Sequence, residues 1–255
     1  MSSVTIGVVK CLLFELTFWH MRRLLCRPRF VWTMLVMILL QTGLSFSFHG
    51  FLRAFSDAHS VFILELAFLF ASLQPVYDRF TVHFLLRVRS RWILWSSHIL
   101  AHLLFSFLSV LFLLVISASI LLLLKYPLFS TDELRVMGLL QEGFWRVAVM
   151  IYLLLATGIA TGVVLIDVLQ LFFQRIVVAS LVSMLVVVIS FVPYLVLDFH
   201  LAHQIFWVSP LLRACFVINS VFHASLFLSL TVIMIWLLLL FLVGLFLFSR
   251  KGIYV

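Results

Sequence analysis

Apolar residues occur along this chain in blocks too long for the helices of a soluble domain. Five of them, Phe30 to Phe48, Ala101 to Leu124, Val147 to Phe173, Ile176 to Leu197 and Ala224 to Phe248, are long enough to cross a bilayer as helices. A sixth block, Val61 to Val76, is shorter and contains Glu65 and Pro75. Without it the first helical hairpin would not close. The pattern predicts an all-α polytopic membrane protein with six transmembrane helices, forming a single transmembrane domain over residues 1–255.

Three stretches follow other rhythms. Within residues 4–27, helical spacing puts Leu13, Phe14, Phe18, Met21, Leu24 and Leu25 on one face, opposite Glu15, His20, Arg22, Arg23 and Arg27. Thr17 falls on the apolar face, and Leu16 and Trp19 fall among the charges. This suits an amphipathic interface helix half sunk in headgroups, serving either as an anchor or as a contact for a partner. Within residues 77–92, Asp78, Arg79, His83, Arg87, Arg89 and Ser90 share one side, and Tyr77, Phe80, Phe84, Leu85, Val88 and Trp92 the other. A surface helix held between two spans is expected there. Residues 199–223 stay apolar but are punctured by Pro210 and carry His200, His203, Gln204, Ser209 and Arg213. Short re-entrant helices dipping into the outer leaflet fit this pattern better than a water-exposed loop. Gly50 to Ser60 reads as a brief outer loop. The apolar run from Trp92 is longer than one membrane thickness, so Ser96, Ser97, His98 and His102 are expected in the inner headgroup zone.

Composition excludes a soluble globule: 65% of the 255 residues are hydrophobic and 10% are charged, against a usual quarter charged. Orientation follows from the cations. With the N-terminus inside, Lys10, Arg22, Arg23, Arg27, Arg29, Arg79, Arg87, Arg89, Arg91, Arg175, Arg250 and Lys251 are cytosolic, and only Arg53, Lys125, Arg135, Arg146 and Arg213 lie outside. Both termini are then cytosolic. The net charge of +8 is accounted for by the lipid bilayer, whose anionic inner leaflet attracts such cations, and no nucleic-acid partner is required. Cys11 and Cys26 fall on the reducing side and Cys215 on the other, so no disulfide framework is expected. Lys10 and Glu15 interrupt any apolar core of a cleavable signal.

Candidate chemistry is sparse. His98 and His102 have the i,i+4 spacing of two metal ligands, but no acid or Cys near them in sequence completes a site, and they read as structural. Asp198, His200 and His203 read as an outer polar cap, and no metal is expected. Glu65 and Asp167 are the acids within apolar runs, each costing about 2.5–3.5 kcal/mol if placed centrally. Glu65 is either a translocation-path or proton site or an interhelical hydrogen bond. Asp167, with Gln170 and Gln174 nearby, reads as a hydrogen bond close to the inner surface. Thr157, Gly158, Thr161 and Gly162 form a small-residue face that lets another helix approach closely. The chain has no Gly-x-Ser-x-Gly elbow, His-Glu-x-x-His helix or phosphate-binding Gly-x-x-x-x-Gly-Lys loop, so it is not expected to be an enzyme or to hold a cofactor.

The order of features adds a family likeness. An amphipathic helix, a span, an outer turn and a second span precede Asp78-Arg79, Thr81, Leu85-Leu86 and Ser90-Arg91, and Phe206-Trp207-Val208-Ser209-Pro210-Leu211 precedes the last span and its basic tail. This layout resembles the membrane (permease) subunit of a type-2 ATP-binding-cassette (ABC) exporter. Phe80, where the family often has a small residue, and the missing Pro near Val88 depart from its pattern. The resemblance implies a homodimer, or a pair with a sister permease, in a prokaryotic plasma membrane. It also implies two separate ATP-binding subunits that carry the ATP and magnesium. Arg22 and Arg23, together with Asp78, Arg79, Arg87, Arg89 and Arg91, become the residues expected to couple to those subunits. Walls rich in Phe, Leu and Val suit a hydrophobic or amphipathic cargo such as a peptide, toxin, drug or lipid-like molecule. Two other classes stay open: an ion-coupled secondary carrier using Glu65 or Asp167, and a non-transporting membrane immunity or scaffold protein.

Overall fold

A computed structural model of the chain describes residues 3–47, 50–73, 91–128, 144–196 and 198–250. Among these residues every regular element is an α-helix. They are α1 (Ser3–Leu25), α2 (Pro28–Ser47), α3 (Phe51–Ser56), α4 (Ala58–Ser72), α5 (Arg91–Leu123), α6 (Phe144–Phe173), α7 (Ile176–Leu195), α8 (Phe199–Val208), α9 (Pro210–Arg213), α10 (Phe216–Val221) and α11 (Leu226–Arg250). The protein is an all-α polytopic membrane protein. Five helices, α2, α5, α6, α7 and α11, are long and apolar enough to cross a membrane, while α4 is apolar but only 15 residues long.

Such helices are stable in an apolar setting because each keeps its own backbone hydrogen bonds. Their hydroxyl side chains do the same by bonding back one turn: Thr42 to the Ile38 carbonyl at 2.7 Å, Thr161 to Thr157 at 2.8 Å and Ser183 to Ala179 at 2.8 Å. These three need no partner from another helix, whereas the buried hydroxyls of Ser60, Ser106, Ser109 and Ser117 have no hydrogen-bond partner among the described residues.

The core is organised around α6, which packs against α4, α5, α7 and α11. Its spanning window is 72% buried, against 22% for that of α11, so α6 is the central post and α11 a peripheral one. The 33 residues of α5 form one unbroken helix of about 50 Å. Helix α1 packs along the first part of α5, and α2 along the rest. Between α6 and α7 the chain reverses at Gln174, whose φ of 59° is the left-handed conformation that ends a helix.

Folding departs from the sequence-based picture in four places. Residues expected to form an outer loop contain α3, where Phe51, Leu52 and Phe55 are buried, because their spacing gives one turn of helix an apolar face. His98 and His102 are enclosed by protein rather than set among headgroups. His20 and Leu16, placed by periodicity among the charges of α1, face the protein with Thr17 and Leu24, while Phe14 and Phe18 are exposed. A helix bounded by lipid on one side and protein on the other need not turn its most apolar face inward. Finally, Arg213 is not an outer surface cation but is fully buried. Asp78, Arg79, Arg87 and Arg89 lie outside the described residues, as do Lys251 and most of the connection between α5 and α6.

Candidate functional site

The i,i+4 spacing of His98 and His102 places both rings on one face of α5, and that face meets Asp167 of α6. Nε2 of His98 and Nε2 of His102 each lie 2.8 Å from Oδ2 of Asp167, and the two nitrogens are 3.3 Å apart. All three residues are buried. His20 of α1 packs edge-on against His98 with 5.3 Å between ring centroids, and Thr17 points its hydroxyl at the Ser97 carbonyl, 3.4 Å away. On the far side Trp95, one turn before His98, donates from Nε1 to the Phe241 carbonyl at 3.0 Å and stacks on Phe248 of α11. Gly244 makes this possible, because a Cβ there would overlap the indole ring. Four helices thus meet at one buried polar knot.

The reason for reading His98 and His102 as merely structural was that no third ligand stood near them in sequence. Folding supplies one from 65 residues away in Asp167. Asp167 itself forms an interhelical contact, as its place in an apolar run suggested, but its partners are the two histidines of α5. Asp198, His200 and His203 do not converge. The Asp198 carboxylate caps α8 by accepting from the Leu201 amide, His200 pairs with Gln204, and His203 accepts from the Trp207 indole.

Glu65 has a different setting. It is buried, and among the described residues neither carboxylate oxygen has a hydrogen-bond partner. It faces α6 at Gly158, where an added Cβ would stand 3.4 Å from Oε1 and would collide with Ala214. One turn on, Gly162 receives Leu69 of α4 and Leu211 of α9. The two glycines thus admit α4 and α9 with its flank at close range.

The segment of short helices α8 to α10 is held by its own polar set. Ser209 caps α9 and Pro210 takes the first helical position, where its missing N–H costs nothing. Arg213 donates to the Phe206 carbonyl at 3.0 Å and to the Ser229 hydroxyl at 3.2 Å, and its guanidinium lies 4.4 Å from the Phe206 ring centroid. Asn219 donates to the Arg213 and Cys215 carbonyls, and the Cys215 thiol donates to the Ser56 carbonyl of the short helix α3. Between α6, α7, α11 and this segment lies an apolar cavity of about 480 Å³, lined by Leu165, Val186, Ile205 and Trp236 with Gln204 and Ser209 as polar points.

Among the described residues, Arg22 and Arg23 do not share a patch with Arg91. Arg91 opens α5, is exposed, and donates to the Ser249 carbonyl at the end of α11. Arg22 and Arg23 stand near the end of α1, where Leu25 shares a cavity with Leu108 and Ser109, far along α5 from Arg91. Arg22 is exposed, and Arg23 lies over the Trp19 ring, 4.0 Å from its centroid. Periodicity gave no sign of the roles of Trp95, Gly244 and His20. Comparison with protein-family models, curated proteins and solved structures returns no match.

Proposed function

We propose that this chain is the membrane subunit of an ATP-driven exporter of the type-2 ABC kind, working as a homodimer or with a sister permease. Its motion would come from two separate ATP-binding subunits. The observation that carries this reading is mechanical continuity. Helix α5 begins directly after the basic segment 77–90, and it is tied to α6 through His98, His102 and Asp167 and to α11 through Trp95 and Arg91. A push on the basic segment would reach the most buried helix through polar contacts. Support also comes from the order of elements, with three short helices and a Ser209-Pro210 cap before the last long helix.

In this reading Arg79, Arg87, Arg89 and Arg91 face the ATPases from the cytosol at the plasma membrane, with both chain termini on the same side. Arg22 and Arg23 act through α1. The apolar cavity beside the re-entrant segment is of a size and lining that suit a hydrophobic or amphipathic cargo. Charge reversal at Arg87 and Arg89 is expected to leave a folded complex whose ATP hydrolysis no longer drives transport. Purification from the native host should recover a nucleotide-binding protein with the chain. Transport by the chain alone in vesicles, without nucleotide, would contradict the proposal.

One observation favours the ion-coupled carrier as a second reading: Glu65 is buried without a hydrogen-bond partner among the described residues. That reading predicts nucleotide-independent, gradient-driven flux that Glu65→Gln abolishes. The exporter reading predicts none in the absence of ATP.

A further inference from the structure

The contacts among His98, His102 and Asp167 form a closed triangle whose sides are 2.8, 2.8 and 3.3 Å. Protons satisfy two of its sides and leave the third without a hydrogen bond. Three linear hydrogen bonds around three atoms need one proton per atom, with each atom also accepting. An imidazole nitrogen that carries its proton has no in-plane lone pair left, so it cannot both donate and accept. At most two sides can be linear hydrogen bonds, whatever the protonation of the rings or the carboxyl group. With both Nε2 atoms protonated, Oδ2 accepts twice and the 3.3 Å side is a contact only; a cation off the centre of the triangle would engage all three converging atoms at once, each turning a lone pair toward it.

The dimensions agree with such an ion. Imidazole nitrogens about 2.0–2.1 Å from a tetrahedral ion stand about 3.3–3.4 Å apart, and those of His98 and His102 are 3.3 Å apart. The carboxylate oxygen need recede by only about 0.5 Å to match. Two imidazoles at i,i+4 on one helix and one carboxylate from a second are a ligand set used for divalent first-row metals, with coordination left open for a further ligand. The donors rule out a preference for calcium or magnesium, which take oxygen ligands in larger number.

We infer that His98, His102 and Asp167 bind one divalent transition-metal ion, zinc being the simplest occupant, which clamps α5 to α6. This inference stands apart from the exporter reading and needs no nucleotide-binding partner. The test uses the full chain in detergent, purified without a polyhistidine tag, with Co²⁺ as a spectroscopic probe and Zn²⁺ as its competitor. One Co²⁺ per chain is expected, with the visible absorption of a low-coordinate site, displacement by Zn²⁺ and a raised unfolding midpoint. His98→Gln, His102→Gln and Asp167→Asn should each weaken binding by about tenfold or more, while His200→Gln with His203→Gln leaves it unchanged. A folded, monodisperse wild-type chain that takes up no stoichiometric Co²⁺ would overturn the inference, whatever the variants do. So would uptake that survives Asp167→Asn and is lost in the His200 and His203 variant.

Discussion

Asp167 and Glu65 are both acids in apolar helices, one on α6 and the other on α4 facing it, yet their surroundings are opposite. Asp167 meets two imidazoles at 2.8 Å. Glu65 faces Gly158, and among the described residues neither oxygen finds a donor. The two points on α6, Asp167 and Gly158, are only about 14 Å apart along the axis. The difference is set by the facing element. Helix α5 offers two ring nitrogens on one face, whereas the groups beside Gly158 offer only the small side chain of Ala214. A buried carboxylate without a partner costs several kcal/mol when ionised, so Glu65 weakens the fold where Asp167 holds it. A residue kept at such a cost is the better candidate for moving an ion or a cargo.

The largest expected effect is at the anchored acid. Asp167→Ala leaves two facing imidazoles without their shared acceptor and should lower stability by about 3 kcal/mol or more, seen as a large fall in the unfolding midpoint of the detergent-solubilised chain. Gly158→Ala should cost about 1–3 kcal/mol, because the new methyl group overlaps Ala214 and forces α6 away from the flank of α9. If Gly158→Ala proves neutral, the close approach beside Glu65 is not as described. Trp95→Phe keeps the ring but loses the bond to the Phe241 carbonyl, and about 1 kcal/mol should be lost by the same measurement. Glu65→Gln should show the smallest effect on folding, within about 1 kcal/mol and with gain as the favoured sign, since a neutral amide is easier to bury than a charge. Any transport defect in that variant would then be functional rather than structural.

Much of this architecture could be read from the chain, because block length and apolar content are local properties. The five long helices and the Gly158/Gly162 face follow from spacing within one segment, whereas the buried face of α1 does not. Pairing between segments could not be read. Nothing local joins His98 to Asp167, and a search for ligands near the histidines in sequence finds none. Periodicity also misjudged His20, because in a membrane the outer medium is itself apolar, so a polar face can be the one that packs inward. Arg213 was missed for a related reason: its partners are carbonyl and hydroxyl oxygens and an aromatic ring, which no charge count anticipates. The residues tied most closely to the exporter reading, Asp78, Arg79, Arg87 and Arg89, rest on their sequence pattern alone.

The contrast between an acid that anchors and an acid that is spare is tested most directly by unfolding Asp167→Asn and Glu65→Gln side by side with the parent chain in one detergent. Each amide swap keeps the shape, removes the charge and turns one carboxylate oxygen from an acceptor into an N–H donor. Asp167→Asn should unfold well below the parent, and Glu65→Gln at or above it. A Glu65→Gln variant that falls as far as Asp167→Asn would contradict the account, because Glu65 would then have a partner that holds the fold together.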